Sequence, residues 1–273
     1  YYRGSVENNY VKFAGYFWRI VRINSNGSIR MIYDGTVAHK NGESSTDRQY
    51  GTSQFNPNYN NNMYVGYMYT SGETHGTGTS STIKTNADKF YTDKLSSYAS
   101  KLDTNVGFCG DRTPLIFPDN VGTNQIITYQ KAHLRAEEST PTLACENESD
   151  YYTVDSSVSG NKRLGYPIGL ITADEAMFAG HAGGVFDGLY NHTKINKNGF
   201  LITGNIFWTI TPIGYYYAYG NAGAASYIFV IREDGKMDEP YSDDMIGCRP
   251  VINVRSDVTI TGSGTMTDPY VVA

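Results

Sequence analysis

The stretch that decides the fold runs from Ile206 to Val254. It reads IFWTITP (206–212), IGYYYAYGNAGAASY (213–227), IFVIREDGKM (228–237), DEPYSDDMI (238–246) and GCRPVINV (247–254). Three apolar, β-rich segments alternate with two loops of a different composition. The loops are rich in Tyr, Gly, Ala, Ser and Asp, residue types that favour contact over burial in a core. The stretch therefore predicts paired strands that present a binding face.

The first part of the chain predicts a β-hairpin. FWRIVRI (17–23) and SIRMIY (28–33) are β-rich runs that flank Asn-Gly at 26–27, the strongest short signal for a hairpin turn. Alternate residues of a strand point to opposite faces, so Arg19 and Arg22 fall on different faces. We therefore expect both faces of this hairpin to be partly solvated or salt-bridged.

Two short helices are predicted. The run 85–102 repeats aromatic and aliphatic residues at helical spacing, and an asparagine near its start can cap it. Thr172 and Glu175 form the T-x-x-E pattern of a capping box, and Gly180 follows as a stop signal. The second helix should therefore occupy residues 173–179.

The remaining β-rich runs predict further strands. They lie at 63–69, 166–171, 200–203, 207–211, 226–232 and 250–255, with a terminal hairpin within 257–273. The interval 103–164 reads as irregular. No linker rich in Pro, Ser or Gly divides the chain, so we expect one α+β domain over residues 1–273.

Composition excludes one class of partner and indicates a location. The 273 residues carry a formal net charge of −5 without any block of Lys and Arg, so nucleic-acid binding is not expected. The 24 tyrosines and the many Asn, Ser, Thr and Gly residues are typical of secreted β-rich surface proteins. The sequence begins at Tyr1 and has no signal peptide and no long apolar run. We expect a mature or trimmed extracellular chain, held at the cell surface by an anchor outside this sequence.

The three cysteines predict one disulfide. None belongs to a C-x-x-C pair or lies at ligand spacing from a histidine, so no metal site is indicated. Cys109 and Cys145 lie in loop-like sequence, and bridging them would stabilise the fold by about 3–4 kcal/mol through restriction of the unfolded chain. We therefore predict a Cys109–Cys145 disulfide and a free Cys248. Three reduced, buried thiols are the alternative.

Several motifs occur in an order that resembles a known family. They are YYRG (1–4), FAGYFWRIVRIN (13–24), GLITADEA (169–176), WTITP (208–212), GCRPVINV (247–254) and GSGTMTDPY (262–270). This set resembles a family of uncharacterised cell-surface proteins of Gram-positive gut bacteria. Its second half resembles the C-type-lectin-like fold in the variety of the formylglycine-generating enzymes, which retroelement-diversified binding proteins also use.

The resemblance implies a fold and a place for the ligand. The implied fold is a C-type-lectin-like mixed domain with two short helices, twisted antiparallel hairpins and long loops, its core mainly in 160–256. Ligands of such folds bind on the loops between the last strands. Position 248 is Cys where the family pattern has an apolar residue such as Val. The catalytic cysteines of the sulfatase-activating branch have no counterpart here, so an enzyme of this type is the last of the alternatives.

The predicted site therefore consists of the two loops of the opening stretch. Tyrosine and small residues give rigid contact area at low entropic cost, as in antibody paratopes. The alternative is a Tyr-rich strand edge packed on neighbouring loops. The predicted ligand-binding residues are Tyr215, Tyr216, Tyr217, Tyr219, Asn221, Tyr227, Tyr241, Asp243 and Asp244.

The predicted ligand-binding function requires no cofactor, although a calcium ion is considered. The acids Asp234, Asp238, Glu239, Asp243 and Asp244 could hold calcium if the fold brought them together. A solvated acidic turn is the alternative and is favoured. No catalytic triad or nucleophile motif is found.

Two function classes remain. The first is a cell-surface binding or adhesion module for a host or bacterial surface protein or glycan, with loops that retroelement-type diversification could vary. The second is a structural spacer in a surface fibre. Membrane contact would occur only through an anchor outside this chain.

Overall fold

The computed structural model describes residues 1–115, 128–155, 159–181, 198–217 and 223–273. Over these ranges the chain is a mixed α+β protein, built mostly from β-sheets with few short helices and long loops. No helix in the described ranges is long and apolar enough to span a membrane.

Eighteen strands occur in the described ranges. They are β1 Tyr10–Phe13, β2 Tyr16–Ile23, β3 Ile29–Gly35, β4 Thr52–Ser53, β5 Met68–Tyr69, β6 Thr79–Ser80, β7 Phe108–Cys109, β8 Pro114–Leu115, β9 Thr128–Gln130, β10 Tyr151–Tyr152, β11 Ile168–Gly169, β12 Phe207–Tyr217, β13 Ala224–Ile231, β14 Met237–Asp238, β15 Ile246–Gly247, β16 Val251–Val254, β17 Ile260–Thr261 and β18 Tyr270–Val272.

The described α-helices are short. They are α1 Thr82–Phe90, α2 Lys131–Glu138 and α3 Ala173–Phe178. A π-helical turn (Tyr91–Leu95) and a 3-10 segment (Ser96–Lys101) continue α1.

Two larger sheets organise these elements. The first has the strand order β11-β16-β3-β2-β1-β18-β17 and joins both ends of the chain, because β1 and β18 pair in parallel. The second has the order β14-β13-β12-β15-β4, and β9 pairs with the outer part of β12. The second sheet therefore contains most of the sequence stretch that carries the predicted site.

The central strands of the first sheet are buried on both faces. Val21 and Ile32 point into the core shared with the second sheet, whereas their neighbours Ile20 and Met31 point into a separate core that includes residues of α1. This alternation follows from the two-residue period of a strand. The arginines on the two faces of the hairpin are salt-bridged, in agreement with the prediction: Arg22 pairs with Glu175, and the fully buried Arg19 lies 3.8 Å from Asp34.

The strongest local signals are confirmed and the helix limits are corrected. The hairpin at 16–35 forms, and α3 begins with the complete capping box of Thr172 and Glu175. The first helix starts earlier than predicted, because the hydroxyl of Ser81 accepts the Lys84 N–H and caps it in place of Asn86. It also changes to π and 3-10 geometry after Phe90.

Some predicted strands are shortened or wrong. The runs at 63–69 and 166–171 keep two-residue strands, β5 and β11. Residues 200–203 form a turn rather than a strand, and their backbone carbonyls bond to buried arginines instead of to a neighbouring strand. The terminal hairpin is confirmed as β17 and β18. The interval 103–164, predicted to be irregular, contains α2.

A buried carboxylate, Asp34, connects the first sheet to the surrounding loops. Its Oδ1 accepts hydrogen bonds from Arg48 at 2.8 and 2.9 Å and from Arg249 at 2.9 Å, and Arg19 lies 3.8 Å from Oδ2. All four side chains are fully buried. Burial lowers the pKa of Arg249 to about 9, and the charge of Asp34 opposes this effect.

Other guanidinium N–H groups of Arg48 and Arg249 bind backbone carbonyls. Arg48 donates to Phe200 O and Ile202 O, while Arg249 donates to Leu201 O and Tyr33 O. The cluster therefore fixes the turn at 200–202 against β3. This turn precedes β12 in the chain.

We expect Asp34→Asn to destabilise the fold by roughly 3–5 kcal/mol, because it removes the only negative charge of the cluster and leaves buried arginines unpaired. Urea unfolding followed by circular dichroism measures the change. Asp257→Asn, which alters an exposed ion pair with Arg255, serves as the control and should leave stability nearly unchanged. A loss at Asp34 as small as that of the control would contradict the assigned role.

The predicted disulfide is confirmed. Cys109 and Cys145 are bonded, with a sequence separation of 36 residues, and Cys248 is a free, buried thiol. The bond attaches the exposed segment 140–147 to β7. At the free cysteine, burial raises the pKa of the Cys248 thiol to about 12. The free thiol is therefore protonated and inert at neutral pH.

Removal of this bond should cost about 3–4 kcal/mol, because the open chain gains conformational entropy on unfolding. Cys109→Ser/Cys145→Ser and the reduced native protein should show the same lowered urea midpoint. Thiol labelling of the folded, oxidised protein should leave Cys248 unmodified. Equal midpoints for the oxidised and reduced proteins would show that the bond does not stabilise the fold.

Candidate functional site

The predicted site lies on a long two-stranded ribbon formed by β12 and β13. Pairing runs from Phe207↔Ile231 to Tyr217↔Ala224, with register shifts on either side of Pro212. At the shift, Gly214 packs against β9 so closely that a Cβ atom would lie 2.3 Å from Thr128 O. A side chain at this position would separate the two strands, so the glycine lets β9 brace the outer half of the ribbon.

A series of tyrosine rings in contact runs from Tyr129 of β9 to the surface across this ribbon. Ring centroids are 4.7 Å apart for Tyr129 and Tyr216, 4.2 Å for Tyr216 and Tyr227, and 5.0 Å for Tyr227 and Tyr241. Tyr59 follows at 6.4 Å from Tyr241. Such separations are typical of favourable aromatic contacts. Tyr216 and Tyr227 in the middle of the series are buried, and Tyr59 at its end is exposed.

An asparagine-rich loop, residues 56–62, packs along the same ribbon. Ser226 donates from its backbone N–H to Tyr59 O and from its hydroxyl to Asn61 O, both at 2.7 Å. Tyr215 Oη donates to Asn60 O at 3.0 Å, and Ser242 Oγ donates to Asn58 O at 3.0 Å. Because these bonds use the carbonyls of the loop, the side chains of residues 58–61 remain exposed.

The acidic loop after β14 completes this surface. Asp244 accepts the backbone N–H of Tyr241 at 3.0 Å, and Gln54 donates to Asp243 O at 2.8 Å. Met245 follows and is 62% exposed, while Tyr59 is 44% exposed. We call the combined area the tyrosine–amide surface; its residues are Asn58, Tyr59, Asn60, Asn61, Tyr215, Tyr241, Asp243, Asp244 and Met245.

The predicted site residues divide into three groups. Tyr215, Tyr241, Asp243 and Asp244 lie together on the tyrosine–amide surface. Tyr216 and Tyr227 are each 3% exposed, so in this structure their rings support the surface from below and do not form it. In the third group, Tyr219 and Asn221 lie outside the described residues, and so does the side chain of Tyr217.

Sequence reasoning missed the asparagine-rich loop and Met245 as parts of the site. Its asparagines indicate only a turn, because asparagine side chains bond to nearby backbone. Tyr59, an aromatic residue flanked by Pro57 and a run of asparagines, was the available signal. A large ring in a loop too polar to bury it tends to remain exposed.

Three of the five acids considered for calcium, Asp234, Asp238 and Asp244, make other contacts. Asp238 pairs with Arg232 at 2.8 Å, and Asp234 lies near Arg232 and Lys236. Within the described ranges no group of three or more His, Cys, Asp or Glu residues could hold a metal ion. Calcium binding therefore stays an untested prediction, and the described geometry adds nothing to it.

One of these acids, Glu239, has an unusual environment beside the tyrosine series. Burial and the neighbouring Glu137 raise the pKa of Glu239 to about 8, and its Oε2 has no hydrogen-bond partner among the described residues. Burial also lowers the pKa of His133 to about 4, so the 3.2 Å contact between His133 and Glu137 is made by a neutral imidazole. Glu239 is therefore largely protonated at neutral pH.

Comparison with known proteins does not assign the chain to a family. No protein-family model, curated protein or solved structure matches it.

The raised pKa of Glu239 predicts a pH-dependent stability. In the unfolded chain this carboxyl ionises near pH 4.5, whereas in the folded protein it keeps its proton until about pH 8. Between these values the folded state binds more protons, so rising pH favours unfolding. Glu239→Gln should remove this contribution, and its stability relative to the native protein should increase across the window.

Urea unfolding at about pH 5 and about pH 8 tests this expectation. Glu73→Gln, at an exposed glutamate, is the matched control and should follow the native profile. Parallel pH profiles for the native protein and Glu239→Gln would show that the carboxyl is not held protonated by the fold.

Proposed function

We propose that this chain is an extracellular ligand-binding or adhesion module, and that the tyrosine–amide surface is its contact site for a protein or glycan. The observation that carries the proposal is the exposure of Tyr59 and Met245 on a loop system whose backbone is fixed by hydrogen bonds to β13 and β12. Because these hydrogen bonds already order the loops, little further conformational entropy is lost in holding the exposed apolar groups in place.

The chemistry of this surface suits recognition. Tyr59, Tyr215 and Tyr241 offer ring faces and hydroxyls, and Asn58, Asn60 and Asn61 offer amides that both donate and accept. Tyrosine with adaptable polar residues is the composition of antibody paratopes, and few rotamers are lost when such a surface binds. Asp243 and Asp244 add negative charge at one side, which favours a partner with donor or cationic groups there.

The compartment of the proposal rests on the disulfide. Such bonds persist in oxidising environments, including the cell surface. Anchoring at a bacterial surface and a C-type-lectin-like identity for the second half belong to the proposal as well. Their support is the ordered motif set together with the arrangement of α3, β12, β13 and β16. Diversification of the loop side chains is compatible with a surface whose shape is held by backbone hydrogen bonds.

Loss of exposed apolar groups from the tyrosine–amide surface should weaken binding. We expect Tyr59→Ala and Met245→Ala each to reduce affinity by roughly tenfold or more, as for central residues of an interface. The measurement is binding to an array of immobilised glycans, mucins and extracellular-matrix proteins, followed by titration of each ligand found.

Tyr98→Ala is the matched control, because Tyr98 is a comparably exposed tyrosine on the 3-10 segment 96–101. The control should bind as the native protein does. Equal binding by all variants would exclude the tyrosine–amide surface as the site. Failure of the native protein to bind any ligand, with long homopolymers in solution, would favour a fibre spacer instead.

A further inference from the structure

A second site is suggested by a polar cavity of about 300 Å³ that does not include the tyrosine–amide surface. It lies between the first sheet, Arg135 of α2 and the start of α3, with the Cys109–Cys145 disulfide in its wall. Its volume is at the lower end of the range for ligand pockets, and its lining is polar rather than apolar. These properties indicate a small polar ligand.

One end of the cavity has excess positive charge. Arg22 and Arg30 are direct neighbours across β2 and β3, and both pair with the same oxygen of Glu175, Oε1, at 2.8 and 2.6 Å. One carboxylate therefore serves two guanidinium groups. Its other oxygen accepts the backbone N–H of Thr172.

These two arginines retain donors without protein acceptors. Arg30 is 1% exposed and bonds through Nη1 to Gly107 O, and no described residue accepts from its Nη2. Arg22 is 17% exposed on its side chain and donates through Nε alone within the described ranges. A buried guanidinium with unused N–H groups in a cavity wall is suited to a carboxylate.

The other end of the cavity has excess negative charge. Arg135 forms a bidentate pair with Asp174, at 2.8 Å for both bonds, and also binds Asp111 Oδ2 at 2.6 Å. Two carboxylates thus share one guanidinium. Asp111 Oδ1 is buried and has no hydrogen-bond partner in the described part of the chain. An unsatisfied carboxylate oxygen of this kind is suited to an ammonium group.

The charge pattern excludes ligands of a single sign. Three arginines and four carboxylates line the cavity: Arg22, Arg30, Arg135, Asp111, Glu148, Asp174 and Glu175. A simple anion would meet the acidic end, and a simple cation would meet the basic end. Asp174 and Glu175 are adjacent residues of α3, so the two ends are close together.

We propose that this cavity binds a small zwitterion of the α-amino-acid class. The ligand carboxylate pairs with Arg22 and Arg30, and its ammonium group pairs with Asp111 and Asp174. The segment 140–147 borders the cavity and is held by the disulfide and by the bond from Thr142 N to Asp174 Oδ1 at 3.0 Å. Leu143 and Ala144 on this segment are exposed at the wall, where a ligand side chain can lie.

A matched set of probes tests the proposal by isothermal titration calorimetry on the oxidised protein. L-alanine carries both charges, propionate lacks the ammonium group, and ethylammonium lacks the carboxylate. We expect saturable binding of L-alanine that is at least about tenfold tighter than that of either single-charge probe. The other protein amino acids are then titrated individually to find the preferred side chain.

Two variants address the two ends of the cavity. Arg22→Gln and Asp111→Asn should each weaken amino-acid binding by about tenfold or more, since each removes a charge-assisted contact. The backbone of Asp111 has φ 31°, a conformation that asparagine also tolerates, so this variant should stay folded. Arg163→Gln, at an exposed arginine outside the cavity, is the control and should bind normally.

The outcomes separate this site from the tyrosine–amide surface. Tyr59→Ala should bind amino acids as the native protein does, whatever its effect on protein or glycan ligands. Absence of saturable binding by every amino acid would overturn the proposal. Propionate or ethylammonium binding as tightly as L-alanine would overturn the zwitterion assignment, and unchanged affinity in both cavity variants would overturn the location.

Discussion

The structure depends on the constraint that Asp34 imposes on three buried arginines. A guanidinium buried away from water is costly unless its N–H groups have acceptors and a negative charge lies nearby. Asp34 supplies the charge, and the acceptors include Tyr33 O of β3 and the carbonyls of the 200–202 turn. The carbonyls of the turn lie outside the strand pairings, so hydrogen bonds from Arg48 and Arg249 order this turn. The long irregular connections of this fold are therefore ordered by polar contacts.

The same arrangement recurs elsewhere in the chain with other members. Asp150 pairs with Arg112 at 2.8 Å and holds the 3-10 turn beside β10, and Glu175 joins α3 to the first hairpin. Each carboxylate connects a short helix or turn to a strand distant in sequence. Buried polar atoms without a hydrogen-bond partner among the described residues occur in these clusters too, including Arg19 Nη1, Asp34 Oδ2 and Arg112 Nη2. The feature that marks the Glu175 site as a potential binding site is therefore the cavity of about 300 Å³ beside it.

Local signals in the sequence predicted the elements whose stability is local. Asn26-Gly27 sets the turn of the first hairpin, and the capping box of α3 needs only residues 172 and 175. By contrast, Gln130 at the N-cap of α2 makes no capping bond with its side chain, and Ser139 at the C-cap has φ 55°. Neither position therefore carries a residue that usually signals a helix end. The hairpin pattern predicts a solvated or salt-bridged Arg19, but its partners Asp34 and Asn9 are distant from it in the sequence, so only the structure identifies them. For the site, the prediction of a loop over residues 213–227 is wrong for 213–217 and 224–227, which extend β12 and β13. Burial of Tyr216 and Tyr227 arises from stacking that only the three-dimensional arrangement defines.

The asparagine-rich loop is attached to the ribbon by its own carbonyl oxygens, through donors from Tyr215, Ser226 and Ser242. Main-chain oxygens are the same in every amino acid. Residues 58–60 can therefore be exchanged without altering these bonds, whereas the Asn61 side chain also accepts the Met63 N–H and caps the next turn. Specificity can evolve at 58–60 separately from stability. The same separation makes these positions suitable for a combinatorial library on an unchanged scaffold.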